Sequence, residues 1–323
     1  MTKFGIIGAG DIANAMAKTI SNMSDVDMYA IASRNLDKAE SYKEKYKMKK
    51  AYGSYEELVR DDNINVVYIA TPHSFHYEHA MLCLKHGKHV LCEKAFTANA
   101  RQAKELIEYA RAKNLFLGEA MWTRFMPLTK KFQQLLQEKI IGEVTYMTAN
   151  LNFPMMQKER LLEPELAGGA LLDVGIYPLT IASLVMGDDI QNINVSVRLS
   201  DQGMDIAGQY TLLYKDGRMA DLNSGMCSFS DGNAVIYGTK GFMVLEGVNH
   251  PYSIKVYDSN KVIFQEIQRE HQITGYEYEV RACVEAIKNK QLFCEEISHE
   301  QTMIMMRQMD KIRQLMGVKY PFE

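Results

Sequence analysis

The chain starts with a β-branched run, residues 3–7, that passes into Gly8-Ala9-Gly10-Asp11-Ile12-Ala13 and at once into a helical pattern. Glycines at that junction permit a tight turn and close packing of helix on strand, so the chain is held to folds in which a helix crosses over to the next strand. The rhythm repeats as far as residue 120. Strand-like runs fall at residues 28–33, 66–70, 89–92 and 115–119, and helical patterns fill 12–21, 36–46, 55–60, 75–86 and 100–113. Near-continuous apolar strands separated by crossover helices predict a doubly wound parallel sheet covered on both faces.

The texture changes after Trp122. A helix over residues 125–139 leads into period-2 alternation at 144–153, with Thr145, Met147 and Ala149 on one side and Tyr146, Thr148 and Asn150 on the other. Further strands are expected at 194–200, 206–214, 218–226, 234–238, 242–246, 254–257 and 261–266, with hairpin turns at Lys215-Asp216-Gly217 and Ser259-Asn260. Helices over 276–288 and 299–316 close the chain. The expectation is an α/β doubly wound domain over residues 1–121 and an α+β domain with a large, mostly antiparallel open sheet over 122–323. A length of 323 residues agrees, because one core rarely grows past about 250–300 residues.

Charge and cysteine usage narrow the function. With 37 basic and 40 acidic residues the net charge is −3, and no long run of one sign invites nucleic acid or an anionic membrane. No apolar run approaches the ~18 residues of a membrane span, and the first residues lack the h-region of a signal peptide. Five widely spaced cysteines without a CxxC pair argue against disulfides and zinc, and point to the reducing cytoplasm.

Gly8, Gly10, Asp11 and Ile12 form a GxGxxA turn whose backbone can cradle a pyrophosphate at the positive end of the first helix. About 20 residues on, where an NAD-preferring site carries an acidic residue, the chain reads Ala32-Ser33-Arg34-Asn35. Ser33 offers a hydroxyl and Arg34 a fork for a 2′-phosphate, with Lys38 one turn later, so NADP is favoured over NAD. Two segments follow strands at the edge where such sheets bind ligands: Thr71-Pro72-His73-Ser74-Phe75-His76 and Glu93-Lys94-Ala95. A lysine there can act as proton donor or as a clamp on a carbonyl oxygen. His73, His76 and His79 advance by ~300° at each step and lack a HExxH pattern, so no metal is expected.

GAGDIA, TPHSFH, the Glu93-Lys94 dipeptide, EAMWTRFMP (119–127) and GGALLDVGIYPL (168–179) follow one another in the order of the Gfo/Idh/MocA oxidoreductases, and the chain most resembles the dihydrodiol dehydrogenase branch. The resemblance implies a Rossmann domain, a second domain with an open sheet, and NADP-dependent hydride transfer on sugars, diols or small carbonyl compounds. It also implies a homodimer through the exposed face of the second sheet, where residues 206–226 have the length for it. Many members carry proline at Ala95 and histidine at Tyr177, whereas the dihydrodiol dehydrogenase branch carries tyrosine, so its roles transfer to Lys94 and Tyr177. Asp173 and Tyr177, four apart in an expected helix, share a face. Tyr177 becomes the acid/base, with Lys94 as the cation that favours its phenolate and Asp173 positioning the substrate hydroxyl or orienting Lys94. Trp122 and Phe153 offer an aromatic wall, and Arg124 a basic group for cofactor or substrate oxygen. Residues 154–167 read as an irregular flap. Two rival readings are a glycosidase that uses a held nicotinamide and a non-catalytic dinucleotide sensor.

Overall fold

The computed structural model describes residues 1–323. Its first half is β1 (Thr2–Ile7), α1 (Asp11–Ser21), β2 (Val26–Ala32), α2 (Leu36–Tyr46), β3 (Lys50–Tyr52), α3 (Tyr55–Val59), β4 (Val66–Ile69), α4 (His76–Lys85), β5 (His89–Glu93), α5 (Ala100–Ala112) and β6 (Leu117–Ala120). The six strands are parallel in the order β3-β2-β1-β4-β5-β6, the doubly wound order the sequence predicts. Phe4, Ile6 and Ile7 of β1, Val66 to Ile69 of β4 and Val90 to Cys92 of β5 are fully buried, as strands covered on both faces must be. Asn35, Ser54 and Asn99 start α2, α3 and α5 by accepting hydrogen bonds from Lys38, Glu57 and Gln102 N–H. The three-residue β3 has no apolar run to announce it.

The chain continues through α6 (Pro127–Gln137), β7 (Val144–Asn152), α7 (Ile176–Met186), β8 (Ile190–Leu199), β9 (Asp205–Tyr214), β10 (Met219–Gly225), β11 (Asn233–Gly238), β12 (Gly241–Glu246), β13 (Ser253–Asp258) and β14 (Ile263–Gln268). These eight strands form one sheet in the order β14-β13-β12-β11-β7-β10-β9-β8. Every neighbouring pair is antiparallel except β7 with β10. Both hairpin turns close as the sequence predicts, joining β9 to β10 and β13 to β14. On the inner face, Met147, Ala149, Tyr210, Leu212, Leu222, Ile236 and Leu245 are buried beneath the apolar α7. The other face carries four directly opposed aromatic residues on β7, β11, β12 and β13. Tyr146 stacks on Tyr237 at 5.5 Å, and Phe242 on Tyr257 at 4.3 Å, with Tyr237 and Phe242 at 6.2 Å between them.

The segment Pro164–Met186 corrects the expectation that no apolar run is long enough for a membrane: it is long and apolar enough by length and hydropathy, and 83% of it is buried inside the fold. Its apolar side chains serve as the core of the second unit.

Two helices, α8 (Glu277–Lys288) and α9 (His299–Met316), end the chain. The compact units are residues 1–122 with 272–306, and residues 123–271 with 307–323. A single second domain over 122–323 was the expectation, and the reason for the difference lies at β6. Leu117 N–H donates to Leu292 O at 2.9 Å, His299 Nε2 meets Leu117 O at 2.8 Å, and Thr302 Oγ1 donates to the buried Glu119 carboxylate at 2.8 Å. Residues 272–306 thereby cover the open edge of the parallel sheet, which would otherwise present unpaired backbone groups. A fragment of residues 1–122 lacks these three bonds, each loss of a buried partner costing about 1–3 kcal/mol. Circular dichroism of that fragment is expected to show no cooperative thermal transition, in contrast to the whole chain.

Candidate active site

In the first unit the carboxyl ends of β1, β2, β4 and β5 bring most of the sequence-predicted residues to one edge. Gly8 has φ +102°, its N–H donates to Ala32 O at 3.0 Å, and a Cβ there would meet Ala70 O at 2.5 Å. Only glycine fits. Gly10 is different: it is the extended N-cap of α1, has no side-chain cap, and a Cβ on it would meet nothing within 4 Å. The space before Asp11 and Ile12 is therefore open where a pyrophosphate would lie against the first N–H groups of α1, and the residues fit a dinucleotide. Tyr42 of α2 donates to Gly10 O at 3.1 Å and steadies the turn.

At the end of β2, Ser33 Oγ accepts from Asn35 N–H at 3.2 Å, and Asn35 in turn caps α2 at Lys38 N–H. Arg34 borders a cavity of about 640 Å3 whose wall includes Tyr55, Phe75, His79 and Lys85, together with the carboxylates Glu56 and Glu78. Arg34 lies beside the Tyr55 phenol; burial raises the Tyr55 pKa and the guanidinium works against that rise. Tyr55 meets the His79 ring edge-on at 4.6 Å, and His79 Nδ1 lies 3.0 Å from Thr71 Oγ1.

The three histidines part company. His73 and His76 stand edge to face at 5.6 Å, and no group of three or more His, Cys, Asp or Glu side chains is placed to hold a metal ion. Pro72 caps the short 3-10 turn His73–Phe75 that leads into α4. His76 is buried between Thr71 O and Ala95 O, each 2.8 Å from a ring nitrogen, so one imidazole ties together the loops after β4 and β5. Burial pushes its pKa down to about 4, and a neutral ring donates to one of the two carbonyls at a time.

Glu93 ends β5 and is almost wholly buried; Tyr68 donates to its Oε1, and the Lys94 N–H to its Oε2 at 3.2 Å. Lys94 follows at the sheet edge, and the Lys94–Ala95 peptide is cis. The pattern gave no hint of Glu279, on α8, whose fully buried carboxyl has its pKa raised by burial and by the neighbouring Glu93. Trp122 is 9% exposed and stacks on Tyr276 at 4.3 Å, so a neighbour already occupies one indole face.

The second unit carries Arg124, Phe153, Asp173 and Tyr177. Arg124 is buried, and Phe153 stands half exposed just past β7. Asp173 lies in a π-helical turn, Leu171–Gly175, that runs directly into α7, where Tyr177 is the second residue. Wider π turns of this kind are frequent at functional sites. Asp173 is paired with Arg160 at 3.1 Å. Arg160 was not singled out in the sequence because it lies in the segment read as an irregular flap. That segment forms two short 3-10 turns, Glu159–Leu161 and Pro164–Leu166, with Leu161 and Ala167 buried and Gly169 N–H donating to Leu161 O at 2.8 Å.

Comparison with known proteins places the chain in a family. A model described as "Oxidoreductase family, NAD-binding Rossmann fold" matches residues 2–120, and one for the "GFO/IDH/MocA C-terminal domain" matches 129–244. The chain belongs to the Gfo/Idh/MocA oxidoreductase family. It is 38% identical over 245 residues to the trans-1,2-dihydrobenzene-1,2-diol dehydrogenase of Xenopus tropicalis, covering 75% of this chain and 74% of that one. It is 43% identical over 200 residues to the D-xylose 1-dehydrogenase (NADP(+)) of Hypocrea jecorina, covering 55% and 51%. Among solved structures, the 3-ketoreductase KijD10 of Actinomadura kijaniata, in complex with NADP and TDP-benzene, matches with TM-score 0.90, 25% identity and 97% of each chain.

The two glycines separate stability from binding. Gly8→Ala is expected to lower the unfolding free energy by more than about 1 kcal/mol in thermal or urea denaturation, because its φ is positive and its Cβ meets backbone. Gly10→Ala is expected to leave that stability unchanged and to weaken dinucleotide binding about tenfold or more in a fluorescence titration, because it fills only the open cradle.

Proposed function

We propose that the protein is an NADP-dependent oxidoreductase that moves a hydride between nicotinamide and a carbon of a sugar, trans-diol or small carbonyl compound. The observation that carries the cofactor reading is the end of β2: no carboxylate follows Ala32, and the Arg34 fork borders the cavity shared with Tyr55 and His79. NAD is the second choice, since nothing at Ser33-Arg34 accepts both ribose hydroxyls as a carboxylate would. When bound, the nicotinamide supplies or takes the hydride.

The protein's own groups handle the proton. In oxidation the Tyr177 oxygen takes the proton from the substrate hydroxyl as the hydride leaves; in reduction its hydroxyl protonates the alkoxide. Lys94 supplies the positive charge that stabilises oxygen anions in this exchange. Asp173, steadied by Arg160, orients the reacting hydroxyl. Trp122 and Phe153 present aromatic surface to the substrate, and Arg124 a cation to an oxygen of substrate or cofactor.

A panel of aldoses, deoxy sugars, dicarbonyls and trans-diols with NADPH or NADP, read at the nicotinamide absorbance, tests this. Tyr177→Phe is expected to lower kcat about 10²- to 10⁴-fold while leaving NADPH affinity in place. Full activity in that variant ends the acid/base assignment. Arg34→Ala is expected to weaken NADPH more than NADH, and equal wild-type affinity for both cofactors ends the NADP assignment. Turnover without net absorbance change marks a nicotinamide-dependent glycosidase, and binding without turnover a dinucleotide sensor.

The same reading makes the protein a cytoplasmic homodimer joined through the outer face of the second-unit sheet. Its support is the row Tyr146, Tyr237, Phe242 and Tyr257, with Tyr237 38% exposed, and five cysteines that are all free thiols. Tyr237→Arg is expected to convert a sedimenting dimer into a monomer; a wild-type chain that sediments as a monomer rules the dimer out.

A further inference from the structure

Residues 168–177 hold Tyr177 by two anchors that no local pattern announces. The first is Asp205, the opening residue of β9, 1% exposed and 34 residues away from the backbone it grips. Leu171 N–H donates to its Oδ2 at 2.7 Å, and Ala170 N–H also supports the carboxylate. Asp205 Oδ1 presses on Gly169, where φ is +105° and a Cβ would run into that oxygen. Both glycines are thereby explained, since a Cβ at Gly168 would meet Leu161 O at 2.5 Å. The second anchor is the hydrogen-bonded pair Tyr210–Ser224, 2.7 Å apart, on which Gly175 sits so closely that a Cβ would fall 2.9 Å from Ser224 Oγ.

We propose that Asp205 is the positioning residue for Tyr177: its carboxylate holds the first N–H groups of the π turn and, through that grip, fixes where the phenol stands. The inference rests on the acid/base reading of Tyr177. Orphan N–H groups at the start of a helix favour an anion, and a carboxylate bonds them more strongly than a neutral acid does. The groups facing Asp205 are the Arg313 guanidinium from α9 and the phenols of Tyr210 on β9 and of Tyr320 beyond α9; Tyr320 donates to Gly168 O at 3.1 Å. Arg313 is itself engaged by both Glu323 oxygens at 2.6 Å and by Asp310 at 3.1 Å, so its charge is shared and Asp205 is left to burial. Burial raises the Asp205 pKa to about 7.

The sign of the pH dependence follows. The folded pKa lies above that of an unfolded carboxyl, near 3.9, so protonated Asp205 adds stability that is full below about pH 4 and lost as pH rises through about 7. The gain in grip goes the other way, growing as the carboxyl ionises. Wild-type kcat is therefore expected to rise as pH passes up through about 7.

Asp205→Asn keeps the shape and one acceptor oxygen but not the charge. It is expected to lower kcat about 10- to 100-fold, as small misplacements of a reacting group do, with KM and NADPH affinity unchanged. It is also expected to flatten the kcat limb near pH 7 and to abolish the loss of melting temperature between pH 4 and 7. In the Tyr177→Phe background Asp205→Asn is expected to change kcat no further. Effects that multiply in the double variant, or an Asp205→Asn profile that retains the wild-type limb, overturn the inference while leaving Tyr177 in its role. Full activity of Tyr177→Phe alone overturns the acid/base reading and the inference with it. Gly169→Ala, which pushes the carboxyl off Leu171 without altering its charge, gives an independent reading if Asp205→Asn does not fold: with the grip broken it is expected to lower kcat and to flatten the limb near pH 7, and unchanged kcat overturns the inference.

Discussion

A parallel sheet buried on both faces can join its strands only by helices that cross over it, and the first unit is organised by that requirement. Every strand then ends at the same edge, so the glycine turn after β1, Ser33-Arg34 after β2, the Thr71 loop after β4 and Glu93-Lys94 after β5 arrive there from four separate stretches of sequence. Loops gathered in this way still have to be held in register. His76 does part of this with one ring facing the carbonyls of Thr71 and Ala95, and the ring contacts of His79 with Tyr55 and Phe75 do another part.

The second unit meets its structural needs with buried polar groups aimed at backbone. Asp205 grips the backbone of the π turn before α7 and Tyr320 donates to Gly168 O, while the part-exposed Arg160 meets the Asp173 carboxylate beside them. In the first unit the buried acids behave differently. Glu93 takes bonds from Tyr68 and from the Lys94 N–H. Burial and the neighbouring Glu93 both push the Glu279 pKa up.

What could be read from the sequence was what local geometry demands. Gly8 is readable because its positive φ and the nearby Ala70 O tolerate no side chain, Gly10 because it leaves a cradle open for a ligand at the start of α1, and the hairpin at Lys215-Asp216-Gly217 because its turn has a residue signature. The apolar alternation of β7 and β9 gave the faces of the second sheet. It did not give the parallel pairing of β7 with β10, which joins strands 67 or more residues apart and depends on where β9 folds back. Asp205 escaped because it owes its role to backbone 34 residues away, Arg160 because it lies in the segment read as irregular, and Glu279 because an acid on an amphipathic helix looks like solvated surface. The return of α8 to the parallel sheet was hidden too, because an amphipathic helix shows that it has an apolar face but not which sheet receives it.

That return has a consequence in time. The covering of β6 arrives with residues 272–306, so the unit that begins at the first residue is closed by chain made much later. At about 5–20 residues per second, a ribosome needs about 10 to 40 s to travel from residue 122 to residue 306. For that interval the nascent parallel sheet carries a bare edge strand, the kind of surface to which other chains add. Synthesis order thus sets a window in which the molecule is most exposed to chaperones and to wrong partners, and the window shuts only when Leu292 and Thr302 have reached β6.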